Sequence, residues 1–310
     1  SCIFTGNKSA EAAAATPVSK HGRLSVKGAD LVDSKGNKFQ LRGISTHGIN
    51  WDVGEPYVNK KAFKTLRDEW GVNAVRLAMY TEEYNGYCSG GNQAKLRKLV
   101  DKGVGYAEDL GMYAIIDWHI LSDGNPNKNK SQAKKFFATM AKKYKKNKNV
   151  IYEICNEPNG CSWNEIKSYA TDIIKTIRKY DKKAVIIVGT PTWSQLGTDG
   201  TSNEVANRPI KGYKNIMYSL HFYASEWSHS EYLPAKVTYA RKKKLPILVS
   251  EFGLSEANGD GRIDKKSADK WFKQLDKYNI SYFCWSLTNK DEAASLLKPS
   301  TCLLYTSDAA

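Results

Sequence analysis

Eight times along this chain a short β-rich apolar run ends in polar or aromatic residues, and that recurrence constrains the fold more than any other feature. The runs are FQLRGIST (39–46), VNAVRLAMY (72–80), YAIIDWHIL (113–121), VIYEICNEP (150–158), AVIIVGTPTW (184–193), IMYSLHFYA (216–224), PILVSEFGL (246–254) and SYFCWSLTN (281–289). Their starts, at 39, 72, 113, 150, 184, 216, 246 and 281, lie 30 to 41 residues apart, enough for one strand plus one crossover helix. The intervening segments 61–71, 94–111 and 164–181 carry apolar residues at three- and four-residue spacing, as an amphipathic helix does. Two of them stop at Gly71 and Gly111, the residue type that ends helices. Eight strand–helix units predict a closed (β/α)8 TIM barrel. The alternative, a doubly wound open sheet, lacks the glycine-rich phosphate loop that such a fold carries after a strand. Ahead of the first run, RLSVKGADLVDSKGNKFQL (23–41) alternates around SKGN, which predicts an N-terminal β-hairpin at the barrel bottom.

A chain of 310 residues, 41% of them hydrophobic, can bury the core of one such barrel as a single domain, expected over residues 21–298. Residues 1–20 include the small-residue stretch AEAAAATP without the apolar core of a signal peptide, and are expected to be a disordered leader or linker. No run of eighteen apolar residues occurs, so no membrane partner is expected. The net charge of +15 sits mainly in helix-like segments at 134–150 and 240–246, where lysines alternate with apolar residues. A solvated helix face explains them better than a nucleic-acid patch, for which no motif is present. The six cysteines show neither CxxC nor Cys/His ligand spacing, so no metal site is expected. Cys155 and Cys284 fall in strand runs and read as small buried hydrophobes, while Cys2, Cys88, Cys161 and Cys302 leave disulfides open.

A barrel of this kind builds its active site at the C-terminal strand ends. Standing there are His47 and Trp51, Arg76 and Tyr80, His119, Asn156 and Glu157, Trp193, His221 and Tyr223, Glu251, and Trp285. Glu157 at the end of the fourth run and Glu251 in the seventh would face each other across the barrel mouth. Paired carboxyls suit glycoside cleavage, in which one delivers a proton to the leaving oxygen and the other attacks the anomeric carbon. Arg76 and Tyr223 are placed to keep Glu251 anionic, making it the nucleophile, and Glu157, with no cation beside it in sequence, is the general acid/base. Asn156 is a partner for the sugar 2-hydroxyl, and Trp51, Trp193 and Trp285 offer flat faces for sugar rings. His47, His119 and His221 could mimic a three-histidine metal site, but hydroxyl hydrogen bonding is the expectation. Asp117 and Glu153, just below the strand ends, read as paired interior residues supporting the site, with Glu153 an alternative acid.

The motifs RGISTHG, NAVRLAMY, IIDWHIL, IYEICNEPNG, GTPTWSQ, LHFYA, ILVSEFGLSEANGDG and CWSLTNKDEA occur in order, and together they resemble glycoside hydrolase family 5, in its bacterial-type endoglucanase subfamily. The resemblance covers residues 23 to about 298. It implies a secreted retaining endo-β-1,4-glucanase that acts on β-glucan as a monomer without a cofactor, with mannanase, licheninase, xyloglucanase or a non-catalytic carbohydrate-binding barrel as alternatives. It implies the same two roles for Glu157 and Glu251, and puts Arg76, His119, Asn156, His221, Tyr223 and Trp285 in the catalytic shell. His47, Trp51, Tyr80, Trp193, Ala257, Lys290 and Glu292 then line the substrate cleft, Lys290 and Glu292 binding hydroxyls on the non-reducing side. One departure stands out: LLKPSTCLLYTSDAA follows the last run, so residues 299–310 are expected to be an atypical tail with the final barrel helix missing.

Overall fold

A computed structural model describes residues 14–300 of the chain. All eight expected strands form: β3 (Arg42–Thr46), β4 (Ala74–Tyr80), β5 (Tyr113–His119), β6 (Val150–Glu153), β7 (Ile186–Val188), β8 (Ile216–Tyr223), β9 (Ile247–Gly253) and β10 (Tyr282–Leu287). They pair in parallel in chain order, and β10 closes on β3 to complete the barrel. The crossovers carry helices α2 (Lys60–Trp70), α3 (Gln93–Asp109), α4 (Lys130–Tyr144), α5 (Trp163–Arg178), α8 (Trp227–Lys242) and α9 (Lys265–Lys277). Between β7 and β8 stand only single turns, α6 (Pro191–Ser194) and α7 (Glu204–Asn207). Local chemistry fixes the ends of several helices. Asn59 and Asn92 cap α2 and α3, Ser162 and Glu165 form a capping box at α5, and Gly71 closes α2 in the left-handed region at φ 68°.

The N-terminal segment contributes more order than the sequence suggests. Within the expected disordered leader, Pro17–His21 forms helix α1, capped by Thr16 and docked through the Val18 N–H to the Gly111 carbonyl at 2.8 Å. The small hydroxyl cap and Pro17 at the first helical turn supply the local reason. The hairpin also differs in detail. Strands β1 (Ser25–Lys27) and β2 (Asp30–Val32) pair across a tight turn at Gly28, where φ is +60°. The turn at SKGN carries a single bridge, Val32 to Lys38. Residues 1–13 and 301–310, including Cys2, Cys302 and most of the atypical tail, lie outside the described residues. Among those described, no helix follows β10.

Because side chains alternate along a strand, the barrel interior is stacked in layers. The lowest layer is apolar: Ala74, Tyr113, Ile115, Ile151, Val185, Ile187, Met217, Leu248 and Phe283 pack with Leu24, Leu31, Phe39 and Leu41 of the N-terminal segment, which closes the barrel bottom. One strand step higher the interior turns polar, with Ser45, Arg76, Asp117, Glu153, Ser219 and Ser250 all 0% exposed. The strand ends above carry the expected site residues. The lysines of 134–150 lie on the exposed side of α4 and its C-terminal turn, while Phe136, Phe137 and Met140 pack inward. Cys155 is buried and Cys88, Cys161 and Cys284 are partly so; all four are free thiols. No described helix is long and apolar enough to cross a membrane.

The lower layer predicts its own sensitivity. Phe283 is fully buried there, and Phe283→Ala should lower unfolding free energy in denaturant titration by about 3–5 kcal/mol, through lost transfer energy plus an unfilled cavity.

Candidate active site

The strand ends surround an open cleft of about 670 Å³. Thirteen of the fifteen site residues expected from the sequence line it: His47, Trp51, Tyr80, His119, Glu157, Trp193, His221, Tyr223, Glu251, Ala257, Trp285, Lys290 and Glu292. The other two, Arg76 and Asn156, are buried directly beneath, at 0% and 1% exposure. The cleft also includes Leu121, Gln195, Glu226, His229, Asn258 and Gly259, which strand-end reasoning missed because they sit on connecting loops or on α8.

Arg76 organises the floor. Its Nε donates to Glu153 at 2.8 Å, Nη1 to Glu251 at 3.0 Å, and Nη2 to Asn156 Oδ1 at 2.6 Å, while Nη2 lies 3.1 Å from Asp117. Burial opposes its charge, but Asp117, Glu153 and Glu251 outweigh burial and hold the guanidinium firmly protonated. Asp117 and Glu153 are register partners on β5 and β6, so both meet Arg76 in the polar layer. Glu153 is fully enclosed below the cleft, which removes it as an alternative acid in contact with a ligand.

Glu251 receives a donor on each oxygen, Arg76 on Oε1 and the Tyr223 hydroxyl on Oε2 at 2.8 Å. Glu157 meets a different environment. Burial pushes its carboxyl up to about 8, against the opposing pull of Arg76 and with help from Asp117 and Glu153. Its Oε2 lies 2.7 Å from His221 Nδ1. Burial drives His221 down to about 4, so the ring is neutral near pH 7. His221 Nε2 lies 2.7 Å from the Ser250 hydroxyl, which donates to Glu153 Oε2 at 2.6 Å. With its one proton committed to Glu153, Ser250 accepts from His221 Nε2–H. The Nδ1 lone pair then accepts from a protonated Glu157.

Ser250 precedes Glu251, and on a regular strand neighbours point to opposite faces. The register between β8 and β9 shifts between Ser219 and His221, where Ser219 pairs with Leu248 but His221 pairs with Glu251. The extra β9 residue turns both Ser250 and Glu251 inward, as a bulge does.

The remaining groups are held as rigidly. His119 Nδ1 lies 2.5 Å from Asp117, and its ring stacks on Trp285 at 5.2 Å and 7°. His47 Nδ1 accepts from the Gly48 N–H at 2.8 Å, leaving Nε2 protonated and 3.9 Å from Glu292, which pairs with Lys290 at 2.6 Å. Trp51 stacks on Tyr80 at 4.3 Å. Trp193 sits in a turn where Thr192, Trp193 and Ser194 all have left-handed φ of 60°, 53° and 59°. That costly backbone is held by Trp193 N–H to the Pro158 carbonyl at 2.8 Å and Ser194 Oγ to the Asn156 carbonyl at 2.7 Å. The turn leaves the indole 47% exposed at the cleft wall. The three histidines do not converge. Among the described residues the group with metal-type donors close together is Glu157, His221 and Glu251, within 4.8 Å of one another, with His221 Nδ1 already bonded to Glu157.

Residues 32–291 match the family model described as cellulase, glycosyl hydrolase family 5. The chain belongs to glycosyl hydrolase family 5. Among family members it is 46% identical over 281 residues to endoglucanase A of Butyrivibrio fibrisolvens, covering 89% of this chain and 63% of that protein. It is 48% identical over 300 residues to an endoglucanase of Clostridium saccharobutylicum, covering 96% and 64%. The chain therefore spans a little under two thirds of the length of both relatives. Among solved structures, the catalytic domain of Thermobifida fusca endoglucanase Cel5A in complex with cellotetraose superposes with a TM-score of 0.86 at 36% identity, covering 94% of this chain and 93% of that one.

Two outcomes follow for this family 5 site. Ser250→Ala frees His221 to place its proton on Nδ1 and donate to ionised Glu157, so the Glu157 titration, followed by carbon NMR of the labelled carboxyl, should move to lower pH. The second concerns stability. A Glu157 carboxyl raised from 4.5 to about 8 binds its proton more tightly in the native state than when unfolded, so its contribution is full below about 4.5 and lost as pH rises through about 8. Glu157→Gln cannot ionise, so in thermal melts it should exceed wild type above pH 8 and lose that advantage as pH falls toward the unfolded-state value.

Proposed function

We propose that this protein is a retaining endo-β-1,4-glucanase that hydrolyses internal bonds of cellulose-type glucans. The observation that carries the reading is the pair Glu157 and Glu251, with carboxylate oxygens within 4.8 Å across the cleft and contrasting surroundings. Retaining enzymes hold their two carboxyl groups about 5–5.5 Å apart, with no room for a water between nucleophile and sugar. In the first step Glu157 gives its proton to the glycosidic oxygen while a Glu251 oxygen attacks the anomeric carbon, and the leaving chain departs as an alcohol. In the second, Glu157 takes a proton from water, which attacks the same carbon and releases Glu251. Arg76 and Tyr223 orient Glu251 for attack from below the sugar. His221 holds the Glu157 proton until the leaving oxygen takes it.

The other residues serve binding and charge. Trp285, fixed against His119, supplies the floor beneath the reacting sugar, and Asn156, positioned by Arg76, addresses its 2-hydroxyl. Trp51 and Trp193 offer faces for the neighbouring rings, and His47, Ala257, Lys290 and Glu292 supply polar contacts along one wall. The names of the relatives, endoglucanases throughout, support glucan over mannan as substrate. A polymer substrate cannot enter a cell, so we place the enzyme outside it. A cleft built wholly from one chain supports action as a monomer.

Glu157→Gln and Glu251→Gln should each abolish hydrolysis of carboxymethylcellulose. With azide and an activated glucoside, Glu251→Ala should yield a glycosyl azide of inverted configuration and Glu157→Ala one of retained configuration; the reverse would exchange the two roles. Wild-type kcat/KM should follow a bell-shaped pH profile whose basic limb reports Glu157. Persistent hydrolysis in either Gln variant would sink the assignment.

A further inference from the structure

Large hydrophobic side chains exposed on the described surface are few: Trp70, Tyr84, Trp193, Trp227, Tyr232 and Ile263. All but Trp70 follow the C-terminal ends of barrel strands or begin the next helix, on the face that carries the cleft. A monomer rarely concentrates such groups on one face without a ligand to cover them. Trp193 lies on the cleft wall. Trp227 and Tyr232 lie outside the lined cavity and have no part in the chemistry described above.

Their placement continues the cleft. Trp51 follows β3 and Trp193 follows β7, four strands apart in a closed barrel of eight, so these rings stand at opposite ends of the mouth. Trp227 is the first residue of α8, directly after cleft-lining Glu226, whose carboxylate accepts from the Ala257 N–H at 3.0 Å. Its indole is 69% exposed and meets Tyr232 edge-on at 6.0 Å. Tyr232 in turn packs against Gly200, where a Cβ would fall 2.7 Å from the ring. Gly200 belongs to the loop that leaves Trp193 and Gln195, and buried Lys236 of α8 fastens that loop by donating to the carbonyls of Gln195 and Asp199 at 3.1 and 2.5 Å. The backbone from Trp193 to the aromatic pair is thereby one fixed surface. The glycine at 200 is what lets the Tyr232 ring lie flat against it.

We infer that Trp227 and Tyr232 form an additional sugar-stacking platform that extends the cleft beyond Trp193, engaged by β-linked glucan chains longer than the cleft alone accommodates. The inference rests on the glucanase reading for the identity of the ligand. A partly hydrated pyranose ring presents an apolar face and a polar rim. An exposed indole that follows cleft-lining Glu226 in sequence, edge-on to the Tyr232 ring, matches both.

The test measures kcat/KM for wild type, Trp227→Ala and Trp227→Phe on β-1,4-linked glucose oligomers of increasing length and on soluble derivatised cellulose. In Trp227→Ala the ratio of kcat/KM on the longest oligomer to that on the shortest should fall by up to about tenfold, the factor that one aromatic stacking contact supports, with the change in KM. Trp227→Phe should restore most of that ratio. An equal loss at every length, or no loss at any, would overturn the platform. If the wild type cleaves none of these oligomers, the glucanase reading itself fails and the platform loses its ligand, an outcome distinct from either of those.

Discussion

One buried guanidinium sets the terms for everything above it. Arg76 has no contact with solvent and lies within bonding distance of Asp117, Glu153 and Glu251, three carboxyl groups that one positive charge cannot neutralise if all are ionised. The surplus must be met by protons. Burial raises Asp117 to about 7 and Glu157 to about 8, while Glu251 keeps the guanidinium on one oxygen and a tyrosine hydroxyl on the other. The contrast between the environments of the two cleft carboxyls thus begins one layer down, in a competition for a single cation in a poorly screened interior. A buried charge of this kind is costly to leave unpaired, so the polar layer is also a structural commitment.

Around that centre the barrel separates its tasks by height. Apolar residues and the N-terminal hairpin close the bottom, the polar layer fixes charge and orientation, and the strand ends present groups to the cleft. Aromatic stacking carries orientation sideways: Trp285 on His119 and Trp51 on Tyr80 fix rings against neighbours that are themselves anchored to the strands. The strained turn at Thr192–Ser194 does the same for Trp193 by backbone geometry. Side chains held in this manner are ordered before any ligand arrives, which is where transition-state stabilisation draws its advantage.

Much of this was legible in the sequence because barrels repeat. Alternation and spacing located all eight strands, and the rule that function sits at strand ends then selected Arg76, Glu157, Tyr223 and Glu251 without reference to contacts. What escaped that reading lacks a period. Gln195 and Glu226 reach the cleft from a loop and from the residue before α8, positions for which strand alternation has no prediction. Pro17–His21 is too short for a helical pattern and is ordered by its cap and by docking to Gly111. SKGN carries the most obvious turn residues, whereas the hairpin ladder forms across Gly28. Ser250 was invisible for a sharper reason, since regular alternation directs it away from Glu251's face.

That exception has a consequence for how such a site can vary. The shared inward facing of Ser250 and Glu251 is encoded in strand length, by the one extra residue that β9 carries opposite Ser219–His221. Substitutions around it can tune charge and fit gradually. Removing one residue between Leu248 and Glu251 would instead restore regular alternation, in which Glu251 keeps its inward facing but Ser250 is lost or turned outward, unlinking His221 from Glu153. The link from His221 through Ser250 to Glu153 is therefore tolerant of drift in the surrounding composition and intolerant of a change in residue count in this strand, which breaks it in a single step.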